Sequence, residues 1–186
     1  FSPRSTFPFA YDADRSFHRN CSFEQVYFSR PDSVTFGVSS HTVRERLGFL
    51  LGRKDAVLAD LVTPVPDSSN AMAAAYANER DIPFVPALIR SHYVDRTFIK
   101  PDQKERQKCV RLKLGVVRST VSGKRIVVVD DSLVRGNTMR RVVAMCRDAG
   151  AREVHVRIAS PPIIHPCRWG IAMPTFEELA MHGKSS

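Results

Sequence analysis

No stretch of this chain approaches the roughly 18 apolar residues in a row that a membrane-crossing helix needs, so no membrane is expected among its partners. Residues 1–20 lack a basic stretch followed by an apolar run, and no secretory leader is read there. Cysteine is scarce: Cys21, Cys109, Cys146 and Cys167 stand far apart, with no CxxC or zinc-like spacing. Scattered thiols of this kind fit a reducing, cytoplasmic location, and Cys146 fits a small core residue. His92, His155 and His165 form no HxH or HExxH arrangement, so no zinc site is expected and none is assigned as a base. There is no GxxxxGK[ST] and no GxGxxG, which removes the P-loop and dinucleotide frameworks. Internal repeats and low-complexity tracts are also missing.

What remains is a chain of 186 residues, long enough for one domain with a real core. Its formal net charge is +9. A nucleic-acid surface is one source of such an excess, but the basic residues are scattered and no helix concentrates them, so no nucleic-acid partner is expected.

Strand and helix patterns alternate along the chain. Residues 1–35 read as a lead-in, with a short strand over Glu24–Phe28. Ser39 or Ser40 can cap a helix through about Leu51, which places Val43, Leu47, Leu50 and Leu51 on one face. Residues 61–65 read as the first core strand, and Asp67-Ser68-Ser69 turns into an alanine-rich helix over Asn70–Arg80. Asp81-Ile82-Pro83 ends it. Residues 84–89 read as a second strand, pushed toward an edge by Pro86. A polar, basic loop over 91–108 and a helix over 110–114 come next. A strand over 124–129, a helix over 139–149 closed by Gly150, and a strand over 153–159 ended by Pro161-Pro162 complete the pattern, before an irregular tail carrying Trp169. Such alternation implies an α/β fold: a central, mostly parallel sheet with helices on both faces.

The most informative string is Ile126-Val127-Val128-Val129-Asp130-Asp131-Ser132-Leu133-Val134-Arg135-Gly136-Asn137-Thr138. Val127 to Val129 suit a strand buried on both faces. Asp130 and Asp131 then fall at its carboxyl end, where open parallel sheets bind ligands. Successive side chains on an extended segment point to opposite sides, so one acid can grip ribose hydroxyls while the other faces a cation. Ser132, Arg135, Gly136, Asn137 and Thr138 turn the chain into a helix whose free amides and hydroxyls can surround a phosphate. Gly136 lets the backbone come close. The plainer alternative is a buried strand ending in a polar turn, with Asn137 or Thr138 as an ordinary helix cap.

This string resembles the phosphoribosyl-pyrophosphate motif of type I phosphoribosyltransferases. The residues 21–33 (opening Cys21-Ser22-Phe23-Glu24), Pro64-Val65-Pro66-Asp67-Ser68, Tyr93-Val94-Asp95-Arg96-Thr97-Phe98-Ile99, Val110-Arg111-Leu112-Lys113-Leu114 and Ser160-Pro161-Pro162-Ile163 are similar, in order, to the glutamine phosphoribosylpyrophosphate amidotransferase family. The resemblance implies a type I phosphoribosyltransferase fold, with the transferase domain at 36–183 and a tail at 184–186. It implies that ammonia displaces pyrophosphate from phosphoribosyl pyrophosphate to give 5-phosphoribosylamine, the first step of purine synthesis. The family also carries an N-terminal glutaminase domain and C-terminal helices that this stretch does not contain, so a glutaminase domain or subunit is an expected partner, and a homo-oligomer is expected of the full-length family.

The implied site follows residue by residue. Ser132, Val134, Arg135, Gly136, Asn137 and Thr138 would hold the 5-phosphate. Asp130 and Asp131 would hold the ribose and Mg²⁺, and Asp67 and Ser68 the pyrophosphate side, with Ser68, Asp130 and Asp131 as the Mg²⁺ set. Ser68 alone reads equally well as a helix cap. Arg90, Tyr93 and Arg96 would belong to a closing loop that keeps water from competing with ammonia. In the cluster-bearing branch of the family, cysteines matching Cys21 and Cys167 help hold an iron–sulfur cluster. The other ligands come from a CxxC pair that is missing here, and two thiolates cannot supply four ligands, so no cluster is expected in this chain.

Departures from the family pattern fall in the closing loop and the tail. Arg90-Ser91-His92 stands where Lys-Asn-Arg is usual, Asp95 where glycine is usual, and Ala172 where aspartate is usual. An acid in a loop that covers pyrophosphate is unfavourable, so a second reading is a module that binds sugar phosphate or nucleotide without turnover. A transferase acting on a nucleobase ranks third.

Overall fold

The computed structural model describes residues 20–90, 114–168 and 170–184. Three parallel strands organise it: β3 (Leu61–Pro64), β6 (Arg125–Asp130) and β7 (Glu153–Ile158), with β6 in the centre. The register runs Leu61 to Ile126 through Pro64 to Val129 on one side, and Arg125 to Glu153 through Asp130 to Ile158 on the other. Paired along both edges, β6 leaves no backbone for water, and Ile126, Val127, Val128 and Val129 are fully buried.

The period of two divides those residues between two cores. Ile126 and Val128 pack with Leu61, Val121, Val142 and Cys146. Val127 and Val129 pack with Val62, Met72, Ala73 and Tyr76. The first core is closed by α4 (Asn137–Asp148) and the second by α2 (Asn70–Arg80), so helices cover both faces. Each such valine or isoleucine contributes on the order of 1.5–3 kcal/mol by leaving water, which explains why a run of four fixes the centre of the sheet.

Helix α1 (Ser40–Lys54) is capped by Ser39, whose hydroxyl accepts from the Thr42 amide, and it continues past Leu51. It packs tightly on α2, because Gly48 presents no side chain to the Met72 backbone. Helix α2 ends at Asp81, which adopts φ 50°, shortly before Pro83.

Four elements depart from the sequence reading. Glu24–Phe28 is a π-helical turn rather than a strand. The turn is held by Arg44, a buried guanidinium that donates to the carbonyls of Gln25, Tyr27 and Ser29 at 3.0, 3.2 and 2.7 Å. A tight turn brings those oxygens onto one group, whereas an extended segment aims them apart. The second strand shrinks to a single bridge between Phe84 and Val62, followed by β4 (Leu88–Arg90). Pro86 has no N–H to offer, and the Thr63 hydroxyl takes the amides of Ala87 and Leu88 instead, at 3.0 and 3.3 Å. Leu114 opens a strand, β5 (Leu114–Val116), which pairs antiparallel with β4 and not with a helix; the rest of the helix expected over 110–114 lies outside the described residues. Helix α4 starts at Asn137, two residues ahead of Met139.

A two-stranded hairpin, β1 (Val34–Thr35) with β2 (Val38–Ser39), and a short helix, α3 (Arg118–Val121), complete the described elements. Most of the lead-in, the loop at 91–108 with Tyr93 and Arg96, Cys109 and Trp169 all lie outside the described residues.

Candidate active site

Parallel pairing places the carboxyl ends of β3 and β6 side by side. The chain leaves β3 through Val65, Pro66 and Asp67, with a cis peptide between Pro66 and Asp67, and enters α2 after Ser68 and Ser69. It leaves β6 through Asp130 and Asp131. Both acids are buried, at 9% and 4% exposure, so each needs partners.

Asp131 receives two hydroxyls, that of Ser68 from the neighbouring turn and that of Ser132 at 2.6 Å. Asp130 accepts the Ser69 hydroxyl at 3.2 Å and the Asp131 amide at 3.0 Å. These bonds favour its charged form, but burial and the adjacent Asp131 charge outweigh them and push its carboxyl up to about 7. Two adjacent acids, whose hydrogen-bonding side-chain neighbours among the described residues are hydroxyls, form a donor set that suits a hard divalent cation. The excess negative charge that raises Asp130 is what such an ion would relieve. Arg44 also feels this charge: burial lowers its guanidinium from the usual range, and Asp131 pulls it back up.

After the acids the backbone turns through Gly136 at φ 76°, ψ −4°, a left-handed conformation that favours glycine. Gly136 is the residue before α4, and no side chain caps the helix. Neither Asn137 nor Thr138 therefore acts as the ordinary cap of the plainer reading. Among the described residues the amides of Asn137, Thr138 and Met139 donate to nothing. An uncapped helix start with free amides offers a phosphate its partners together with the positive end of the helix dipole.

A cleft of about 1030 Å³ unites these parts. Asp67, Ser68, Arg90, Asp130, Asp131, Ser132, Val134, Arg135, Gly136, Asn137 and Thr138 all line it, while Tyr93 and Arg96 fall outside the described residues. Two expected groups have protein partners of their own: Arg90 pairs with Asp67 at 3.1 Å, and Arg135 pairs with Glu178. Ser68 bonds Asp131, and α2 is preceded by Ser69, so Ser68 does not cap the helix. Cys21 is exposed and Cys167 is partly buried, and no group of three or more His, Cys, Asp or Glu residues among the described ones is arranged to hold a metal.

Sequence reasoning missed Ser69, Arg44, and the aromatic residues Phe23, Tyr27 and Phe28 that also line the cleft. The Phe-Glu-x-x-Tyr-Phe spacing was the available signal, because a helical turn puts Phe23, Tyr27 and Phe28 on one side, with ring centroids 5.2–6.3 Å apart.

A parallel sheet whose acidic strand end runs into an uncapped helix puts the cleft where open α/β sheets bind their ligands. Comparison with known proteins agrees: the phosphoribosyl transferase domain family matches residues 54–160, more than half of the chain, and the chain belongs to that family. It is 55% identical over 159 residues to amidophosphoribosyltransferase of Bacillus subtilis, covering 86% of this chain and 33% of that protein. It is 52% identical over 165 residues to amidophosphoribosyltransferase of Methanocaldococcus jannaschii, covering 89% and 35%. The solved structure of the Bacillus subtilis glutamine phosphoribosylpyrophosphate amidotransferase, complexed with ADP and GMP, superposes with a TM-score of 0.77 at 54% identity, over 89% of this chain and 36% of that one. The chain thus spans about a third of the length of the curated relatives it matches.

Proposed function

We propose that this chain is the phosphoribosyl-transferring part of an amidophosphoribosyltransferase, which joins ammonia to C1 of phosphoribosyl pyrophosphate and releases pyrophosphate. The observation that carries the reading is the single cleft joining the acid pair to the free amides of α4, in a chain half identical to enzymes of that name. In this reading the transferase unit occupies 36–183 after a lead-in at 1–35. The wider protein works in the cytoplasm as a homo-oligomer, with its ammonia supplied by a glutaminase domain or subunit.

The cleft then has three tasks. Ser132, Val134, Gly136, Asn137 and Thr138 surround the 5-phosphate through amides and hydroxyls, with Arg135 in the same loop. Asp130 and Asp131 hold the ribose hydroxyls and face the diphosphate. Asp67 and Ser68 stand on the pyrophosphate side, where Arg90, Tyr93 and Arg96 would close over it. The transition state gathers positive charge at C1 while charge grows on the leaving pyrophosphate. A carboxylate beside the ribose stabilises the first, and arginine guanidinium groups offset the second. Ammonia is already a nucleophile, so positioning and exclusion of water replace a general base. Ser68, Asp130 and Asp131 fit Mg²⁺, which when bound supplies charge neutralisation for the diphosphate.

A second reading, binding without turnover, draws on Asp95 in the expected closing loop. One assay separates the two: phosphoribosyl pyrophosphate, Mg²⁺ and concentrated ammonium at alkaline pH, with pyrophosphate release measured. Release that depends on ammonium supports transfer. Tight binding without release leaves the module.

A further inference from the structure

The arginine of the phosphate loop is already engaged, and by the tail of the chain. Arg135 donates Nε to Oε2 of Glu178 at 2.7 Å, and its Nη2 donates both to the same oxygen and to the Ala172 carbonyl, the latter at 2.5 Å. The residues on either side meet the tail as well. The Val134 carbonyl accepts the Ala180 amide at 2.8 Å. A Cβ on Gly136 would stand 3.7 Å from the Cβ of Ala180. Three consecutive loop residues are thus gripped by residues 172–180. The grip is itself fixed: Thr175 donates to Glu178 at 3.0 Å, and Met173 and Leu179 are buried. Just beyond, the amides of Asn137, Thr138 and Met139 are unspent.

This division of labour has a physical consequence. A phosphate dianion needs its amide cradle preformed, because ordering a loop during binding subtracts from affinity. A guanidinium held by a carboxylate and a carbonyl is a brace with little charge left over for a ligand. Resting on the functional reading above, we propose that Glu178 is a positioning residue, which acts through Arg135 to hold the 5-phosphate loop in its binding shape, and that Arg135 braces this loop instead of contacting the phosphate. Nothing in the sequence pattern marks Glu178, which lies 43 residues from its partner in an irregular segment.

Calorimetry with ribose 5-phosphate, and separately with pyrophosphate plus Mg²⁺, tests this on the unaltered chain, Glu178→Gln, Arg135→Met and the double variant. Glu178→Gln weakens ribose 5-phosphate roughly three- to tenfold, the range of a partly exposed charged pair. Pyrophosphate binding, on the other side of the cleft, stays unchanged. Arg135→Met loses a similar factor, and the double variant loses no more than Arg135→Met alone. Glu178→Asp, with the charge kept on a shorter arm, recovers part of the affinity. A far larger loss in Arg135→Met than in Glu178→Gln would mean that Arg135 holds the phosphate directly, and the proposal fails. Equal loss of both ligands in Glu178→Gln would mean general loosening, and it fails again; no loss at all also overturns it. An unaltered chain that binds neither ligand removes the functional reading itself and this inference with it.

Discussion

The hydroxyl of Ser68 donates to the carboxylate of Asp131 across 63 residues of sequence, fastening the turn after β3 to the end of β6. The two halves of the proposed diphosphate site are therefore joined before any ligand arrives. Ser132 holds the other oxygen of the same carboxylate, so Asp131 is oriented from both sides.

That orientation makes Asp131 the side chain on which cation-dependent binding should turn. Asp131→Asn keeps the shape and removes the charge, and it should abolish the Mg²⁺-dependent part of the affinity for phosphoribosyl pyrophosphate. Ser68→Ala, which removes one neutral-to-charged hydrogen bond, should cost a smaller share, about 1.5–3 kcal/mol of binding at most. Calorimetry with and without Mg²⁺ reads both. Unchanged affinity in Asp131→Asn would move the cation elsewhere.

Asp130 predicts a pH dependence of stability. Its folded carboxyl sits at about 7, against about 3.9 in the unfolded chain. A raised acid binds its proton more tightly when folded, so the protein suffers no penalty below about pH 4. As pH rises toward 7 the penalty grows, on the order of a few kcal/mol, because a buried charge must form beside Asp131. Stability should therefore fall between about pH 4.5 and 7.5, and Asp130→Asn should flatten that fall in thermal melts across the window. A variant with the same slope as the unaltered chain would assign the titration to another group.

Much of this was legible beforehand because the signals were local. Four β-branched residues announced β6, an alanine-rich run announced α2, and Ser39 before a helical pattern announced α1. The elements that escaped depend on distant partners. Nothing within Glu24–Phe28 shows that Arg44 will gather its carbonyls. Nothing near residue 84 shows that the Thr63 hydroxyl will take the place of strand pairing around Pro86. The site divides in the same way. The acids and the glycine turn belong to one contiguous string, whereas Ser69 and Glu178 are brought to it only by folding.

One long-range network outside the cleft should govern acid stability. Asp55, just after α1, accepts from Tyr76 on α2 at 2.5 Å and from Arg157 on β7, one bond at 2.9 Å. Burial works to raise the Asp55 carboxyl, but the bonds from Arg157 and Tyr76 hold it well below the usual range. A depressed acid stabilises the fold above its unfolded value near 3.9, and the contribution declines as pH falls from there toward its lower folded value. Tyr76→Phe should cost about 1 kcal/mol and Arg157→Met roughly 1–3 kcal/mol in urea unfolding at neutral pH. Both differences should shrink toward pH 3, and a loss that is independent of pH would detach the network from Asp55.

Close approach of α1 and α2 rests on Gly48 more than on any large side chain. A Cβ there would lie 2.0 Å from the Met72 carbonyl oxygen and 2.7 Å from its carbon, both backbone atoms that no rotamer change can move aside. Alanine normally favours a helix interior over glycine by up to about 1 kcal/mol, so helix propensity alone predicts that Gly48→Ala stabilises. The collision decides the sign the other way. Separating the helices strips contact from Met72, Ala73 and Tyr76, all fully buried, and such overpacking costs typically about 1–3 kcal/mol, occasionally more. Chemical denaturation of Gly48→Ala should therefore show a lowered midpoint. Gly52→Ala, whose Cβ would meet only the Glu79 side chain at 3.0 and 3.2 Å and the Tyr76 carbonyl at 3.2 Å, should lose less. A Gly48→Ala variant as stable as the unaltered protein would mean that the two helices separate freely, and the tight α1–α2 packing would no longer explain how Ser68, at the head of α2, is held in reach of Asp131.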